Sequence, residues 1–152
     1  MLEQFDWSDE YSVGLKEIDD QHKALVGMVA EMHVAIVARK GSAACRAILD
    51  RLVAYTANHF AVEESLMRLL NYPEFAAHKE EHDALTRQVV DLLEKLDAGK
   101  AAISFELLHF LKVWLTQHIV KSDKKYGVYA QARGISSGFG KGAGKKPWWR
   151  FW

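Results

Sequence analysis

Two short segments of the 152-residue sequence place possible metal ligands at the spacing of a helical turn. His59 and Glu63 are four residues apart, and so are His78 and His82. In an α-helix, residues four apart lie on one face, about one turn along the axis. Imidazole nitrogens and carboxylate oxygens both bind divalent transition metals. Each pair therefore indicates a place where two side chains could bind one metal ion.

Four segments with apolar residues at three- and four-residue steps must position these side chains. The predicted helices cover residues 19–39, 42–70, 73–98 and 104–121. Ser42 is the expected cap of the second helix, and Ser104 lies at or near the start of the fourth. The short loops between the helices predict an all-α fold, an antiparallel up-down-up-down four-helix bundle.

The first eighteen residues carry aromatic side chains without a helical period, and we expect them to form an arm packed across the domain.

Antiparallel packing would bring all the candidate ligands to one end of the bundle. His22 lies near the start of the first helix, and His118 lies near the end of the fourth. Asp123 follows closely enough to join them, whereas Glu64 is rotated away from Glu63 and is expected to be solvated. The spacing thus predicts five imidazoles and two carboxylates in one layer. The candidates are His22, His59, Glu63, His78, His82, His118 and Asp123.

The other two histidines and the single cysteine do not fit this layer. His109 is about 180° from His118 on the same helix and should face outward or sideways. His33 lies about 16 Å along the axis from His22, too far for the same ion, and is expected to be a hydrogen-bonded interior or rim residue. Cys45 cannot form an internal disulfide and is expected to be a small apolar packing residue.

Composition excludes several classes of protein. The 20 basic and 20 acidic residues balance, which argues against a general nucleic-acid binder. The 49% hydrophobic content argues against disorder. The most apolar stretch, residues 101–120, contains Glu106, His109 and Lys112, which a lipid-facing helix would not carry. No signal peptide is visible, so a cytoplasmic location is expected.

Five histidines and two carboxylates are too many ligands for one zinc ion, which prefers four. They suit two ions bridged by the carboxylates, and mixed nitrogen and oxygen ligands favour iron, manganese or cobalt, with iron first by availability. A ferritin-like diiron site needs two Glu-x-x-His motifs. This chain has one, from Glu106 to His109, and it points away from His118. A ferritin-like site is therefore disfavoured.

The motifs, taken together, resemble the hemerythrin family in its single-domain bacterial form, over about residues 5 to 130. The resemblance includes Ile18-Asp19-Asp20-Gln21-His22. It continues through His59-Phe60-x-x-Glu63-Glu64-x-x-Met67 and His78-x-x-x-His82. It ends with Trp114-x-x-x-His118-Ile119-x-x-x-Asp123-x-x-Tyr126.

This resemblance implies two non-haem iron ions with unequal numbers of histidine ligands. The first iron would be held by His78, His82 and His118. The second would be held by His22 and His59. The bridging carboxylates would be Glu63 and Asp123, with a solvent-derived oxo or hydroxo group as the third bridge. One position on the second iron would stay open, and dioxygen would bind there. The implied apolar oxygen pocket is formed by Leu25, Phe60, Trp114, Leu115 and Ile119.

The expected function is therefore reversible dioxygen binding for storage, transport or delivery, by a monomer that is not an enzyme. Two alternatives remain open. One is an oxygen or redox sensor, although no output domain is fused to this chain. The other is a diiron oxidase, a peroxidase or a nitric-oxide-handling protein.

Residues 134–152 differ from the domain formed by residues 1–133. They contain five glycines, four basic residues, five aromatic residues and no acidic residue. Near the end, Lys145, Trp148 and Trp152 belong to a segment that interleaves cations with aromatic rings, a composition suited to a bilayer interface. Residues 145–152 could contact a membrane surface or membrane protein, could pack on the domain, or could be inert.

Overall fold

The computed structural model describes residues 5–134, and within that range it is helical and contains no strand. A six-residue π turn, His118–Asp123, joins the last two helices into one continuous helix. The antiparallel four-helix bundle predicted from the sequence is confirmed, with this continuous helix as its fourth member. The helices are α1 (Lys16–Val37), α2 (Ser42–Leu69), α3 (Phe75–Asp97), α4 (Phe105–Gln117) and α5 (Lys124–Ala132).

The helix starts follow local chemistry, with two differences from the sequence prediction. Ser104 caps α4, because its side-chain oxygen accepts a hydrogen bond from the Leu107 amide. Ser42 is not a cap but the first residue of α2, and Gly41 precedes it with a φ of 97°, which glycine adopts at little cost. The first helix begins three residues earlier than predicted, at Lys16.

The fourth helix extends well beyond its predicted end near residue 121. Polar residues 121–125 interrupt the apolar pattern, which is why the sequence suggested a stop there. The helix nevertheless continues, because Tyr126 and Ala130 resume the buried stripe and both are completely buried. The ligand candidates His118 and Asp123 therefore lie in the middle of a long helix.

The N-terminal arm packs across the bundle as expected. Phe5, Val13 and Leu15 are all buried in the core. The arm is attached to α1 by Asp19, whose carboxylate accepts hydrogen bonds from the Ser12 hydroxyl at 2.6 Å and the Val13 amide at 2.8 Å. These bonds pair the polar groups that the turn into α1 would otherwise leave without partners.

The remaining local predictions agree with the structure. Cys45 is buried in the core, and His109 is exposed. His33 is buried, and its Nδ1 lies 3.2 Å from the Lys112 ammonium. Across residues 5–134, no helix has both the length and the apolar character needed to span a membrane.

The arm and α5 are in close contact at Gly127, and this contact supports a stability prediction. A methyl group added there would overlap the backbone carbonyl of Val13. We expect Gly127→Ala to lower the free energy of unfolding by about 1–3 kcal/mol through overpacking. The matched control is Gly27→Ala on the exposed side of α1, where nothing lies within 4 Å. That change should raise the free energy of unfolding by about 0.5–1 kcal/mol through helix propensity. Urea unfolding measures both, and equal effects would contradict the close contact.

Candidate metal centre

Four segments of the bundle bring the seven candidate ligands into one buried layer. α1 contributes one of them, α2 and α3 contribute two each, and the π turn contributes two. All seven are at least 94% buried. Burying carboxylate and imidazole groups costs free energy unless they have partners. They are His22, His59, Glu63, His78, His82, His118 and Asp123.

The seven side chains form two overlapping groups. In each group the possible ligand atoms lie within 4.8 Å of one another. Glu63 and Asp123 belong to both groups. One group adds His78, His82 and His118, and the other adds His22 and His59. The arrangement therefore offers two adjacent places for a cation, with both carboxylates between them.

Asp123 directs its two oxygens to different groups. Its Oδ1 lies 3.0 Å from His78 Nε2 and 3.1 Å from His118 Nε2. Its Oδ2 lies 3.0 Å from His22 Nε2. A carboxylate placed in this way can contribute one oxygen to each of two cations, which is what a bridging ligand does.

Glu63 lies between the same two groups from the opposite helix. Its Oε1 is 2.8 Å from His59 Nε2 and 3.6 Å from His82 Nε2. His82 Nε2 is in turn 3.1 Å from His118 Nε2. Nitrogen and oxygen atoms from all four segments thus point into one small volume.

The geometry of these contacts fits metal ligands better than direct hydrogen bonds. Both oxygens of Glu63 and of Asp123, both nitrogens of His22 and Nε2 of His78 are buried without a properly directed hydrogen bond. Their separations are nevertheless close to 3 Å. Two ligand atoms bound at right angles, each about 2.1 Å from one ion, are themselves about 3.0 Å apart. The residues present therefore fit a pair of bound cations.

The π turn is what places Asp123 beside His118. The two residues are five apart, and in a regular α-helix they would be separated by about 140° around the axis. In the π turn the Lys124 amide donates to the Ile119 carbonyl, five residues earlier, so residues five apart come to one face. The sequence indicated that Asp123 was near, but it did not show this mechanism.

Three of the histidines in the layer have hydrogen-bond partners that the sequence analysis did not identify. In each case the Nδ1 atom donates to a side-chain oxygen, which leaves Nε2 with its lone pair free for a metal. The pairs are His59 with Gln21 at 2.6 Å, His82 with Glu64 at 2.9 Å, and His118 with Glu81 at 2.8 Å.

The expectation that Glu64 is solvated is wrong, because that carboxylate is mostly buried against His82.

These partners share a position in the sequence that could have identified them. Gln21, Glu64 and Glu81 each directly adjoin a candidate ligand on their own helix. Each supports a histidine that belongs to a different helix. A polar residue directly beside an inward-facing ligand could have been recognised in the sequence. The histidine that such a residue contacts depends on how the helices pack, which the sequence pattern does not show.

Electrostatics in the layer follow from burial and from these contacts. The hydrogen bond from His118 lowers the pKa of Glu81 to about 2, although partial burial opposes the shift. Burial lowers the pKa of His82, which favours the neutral imidazole that a metal requires. Burial would raise the pKa of Asp123, but the adjacent His118, His22 and His78 outweigh it and lower that pKa well below its usual range.

Aromatic rings hold two of the histidines in place. Phe60 stacks on His82, with the ring centroids 3.8 Å apart and the planes 5° apart. Trp114 stacks on His118 at 4.5 Å and 15°. Since both aromatic rings are large and packed, they restrict the orientation of the imidazoles that they cover.

The predicted oxygen-pocket residues lie beside the layer. An apolar cavity of about 430 Å³ reaches the metal centre. Leu25, Phe60, Trp114 and Leu115 line this cavity, and His22, His59 and His118 are also in its wall. Ile119 is completely buried but does not line it.

Fold and site together define a helical-bundle protein with a buried histidine and carboxylate metal centre. Residues 13–130 match the family model described as the hemerythrin HHE cation binding domain. The bacteriohemerythrin of Stenotrophomonas maltophilia is 36% identical over 126 residues, which cover 83% of this chain and 81% of that protein. The bacteriohemerythrin of Methylococcus capsulatus is 38% identical over 118 residues, covering 78% and 89%.

Solved structures agree with this match. A wild-type hemerythrin crystal structure has a TM-score of 0.76 and 37% identity, covering 80% of this chain and 94% of that chain. A single-residue variant of hemerythrin gives a TM-score of 0.79 at 35% identity, covering 84% and 97%. The chain belongs to the hemerythrin family. Members of this family are non-haem iron proteins that bind oxygen, and they are not classical enzymes.

The partner of His118 provides a test of the outer contacts. Glu81→Gln keeps the shape of the side chain but removes its charge, so the His118 ring should be less firmly oriented. We expect iron to be lost to a chelator about 10- to 100-fold more readily. Glu80→Gln is the matched control, because Glu80 is exposed and pairs with Arg87. Equal iron retention by the two variants would show that the Glu81 contact is unimportant.

Proposed function

We propose that this protein binds dioxygen reversibly at two non-haem iron ions and stores, carries or delivers it. The observation that carries the proposal is the pair of overlapping ligand groups that share Glu63 and Asp123. Two groups with common carboxylates suit two adjacent ions, whereas a single zinc ion needs four ligands. Family membership makes iron the metal of choice.

The unequal groups suggest how the ligands divide. We assign His78, His82 and His118 to one iron, and His22 and His59 to the other. Glu63 and Asp123 would be shared by both. Because the second group has one histidine fewer, it would leave room at its iron for a small ligand. The cavity beside His22 and His59 gives that position access to an apolar space.

The bound irons would supply electrons that dioxygen takes up on binding and returns on release. The chain provides an environment in which this exchange can be reversed. Neutral imidazoles and two carboxylates keep the net charge of the buried site small, which a low-dielectric interior favours. The Nδ1 hydrogen bonds to Gln21, Glu64 and Glu81 keep three of the imidazoles in the tautomer that binds metal.

We assign the oxygen pocket to Leu25, Phe60, Trp114, Leu115 and Ile119. The first four face the cavity. Ile119 is fully buried on the π turn and does not itself line the cavity. An apolar wall excludes water, and therefore protons, from the bound ligand, which favours release as dioxygen over loss as a reduced product. This environment supports binding over catalysis.

Metal analysis and oxygen cycling test the proposed function. We expect two iron ions per chain and an absorbance change that appears with oxygen and disappears when oxygen is removed, one dioxygen per chain. His118→Ala should lose iron and the absorbance change. His109→Ala, an exposed histidine on α4, is the matched control and should keep both. One zinc per chain, or sustained oxygen consumption with a reductant, would overturn the proposal.

We further propose that the protein acts in the cytoplasm as a monomer and docks to a membrane surface or membrane protein through residues 145–152. This segment lies outside the described residues. Its cations, including Lys145 and Arg150, are interleaved with aromatic residues, and such segments favour anionic bilayer interfaces. Docking would deliver oxygen to a membrane-bound consumer.

Co-sedimentation with vesicles tests the docking. The full chain should sediment with anionic vesicles more than with neutral ones, because each basic residue near an anionic surface contributes about 1 kcal/mol. A chain that lacks residues 140–152 should stay in the supernatant. Equal sedimentation of the two chains would refute membrane docking.

A further inference from the structure

The cavity that reaches the metal centre is longer than an oxygen pocket requires. Its wall runs from His118 back to Glu106 and Ser104 at the beginning of α4. Glu106 and His118 are twelve positions apart along the helix, which corresponds to about 18 Å along the axis. The cavity, with a volume of about 430 Å³, therefore extends along α4 beyond the metal centre.

This volume is suited to an organic molecule. An apolar protein cavity of about 150 Å³ holds benzene, and pockets for organic ligands begin at about 300 Å³. The cavity exceeds both values, whereas dioxygen has only two atoms. The space beyond the metal centre is therefore large enough for a second, larger ligand.

The charges in the wall limit the class of that ligand. Among the described residues, no lysine or arginine lines the cavity. The only carboxylates in its wall are Asp123, at the metal centre, and Glu106, at the far end. An anionic head group near Glu106 would be repelled and would find no cationic partner. A neutral molecule fits this wall better than a fatty-acid anion.

Both the polar and the apolar groups at the far end support an amphiphilic ligand. Ser104 and Glu106 offer a hydroxyl and a carboxylate with which a neutral hydroxyl head group could form hydrogen bonds. At the same part of the cavity, Val90 is 49% exposed and Phe110 is 39% exposed. An alkyl chain between α3 and α4 would remove apolar surface from water.

We propose that this cavity binds a neutral, elongated aliphatic molecule with a hydroxyl-sized head group. The alkyl end lies toward the metal centre, and the head group lies near Ser104 and Glu106. This binding site lies in the same cavity as the proposed site of dioxygen and extends away from it toward Ser104 and Glu106. Binding of the aliphatic molecule does not require that the protein bind dioxygen. A molecule seated there would narrow the apolar approach to His59 and His118, and it would thereby couple the oxygen site to lipophilic compounds.

Calorimetric titration of the iron-loaded full chain with straight-chain alcohols and acids tests the proposal. We expect 1-decanol to bind with one molecule per chain, and decanoate to bind at least 10-fold more weakly. From 1-hexanol to 1-decanol, the affinity should rise about fourfold per added methylene. Because heat reports the binding, a protein that failed to bind oxygen would still give a readable result.

Filling the cavity provides the control. Val89 lines the cavity from α3, and Val89→Trp should weaken 1-decanol binding at least 10-fold. Val53→Phe fills the cavity from α2 and should have the same effect. It tests the proposal even if Val89→Trp fails to fold. Val34→Trp, on an exposed part of α1 outside the cavity, should leave the affinity unchanged.

Three results would overturn the proposal. The first is no heat of binding with 1-decanol. The second is that 1-decanol and decanoate bind with equal affinity, and that Val89→Trp binds both as tightly as the unchanged chain does. That result would indicate nonspecific association. The third is binding that occurs only after residues 140–152 are removed, which would show that the chain's own aromatic tail occupies the cavity.

Discussion

The structure depends on the burial of two carboxylates, Glu63 and Asp123, in the middle of a helical bundle. Both are completely buried. Because an isolated buried charge is costly, such groups require cations or protonated partners close by. Five imidazoles surround them, but the buried atoms mostly lack directed hydrogen bonds with one another. Bound metal ions would satisfy this requirement, and metal binding would then stabilise this end of the bundle.

The rest of the molecule positions this charged layer. The π turn places His118 and Asp123 on one face, and Phe60 and Trp114 stack on the histidines. Hydrogen bonds at Nδ1 then fix the ring orientation from outside. Each of these stacking or hydrogen-bonding side chains lies on a different helix from the histidine that it contacts. The exception is Trp114, which lies on the same continuous helix as His118. Ligand geometry is thus a property of the packed bundle.

The apolar cavity gives the same layer a second role. It joins the candidate metal centre to residues of α3 and α4, so an apolar path leads from these helices to the ligand layer. Dioxygen, itself apolar and uncharged, can use such a path, whereas ions and water are disfavoured. Among larger molecules, the Glu106 carboxylate and the lack of a lysine or arginine in the described wall favour neutral ligands over anions.

Helical periodicity and side-chain type are local properties, and for that reason the sequence alone determined the four-helix fold, the family and the seven candidate ligands. His59 with Glu63, and His78 with His82, could be found from spacing within one helix. The partners Gln21, Glu64 and Glu81, the π turn and the extent of the cavity became visible in the folded chain alone. Those features arise where residues distant in sequence pack together, and the contacts between helices are not encoded in the period of any one of them.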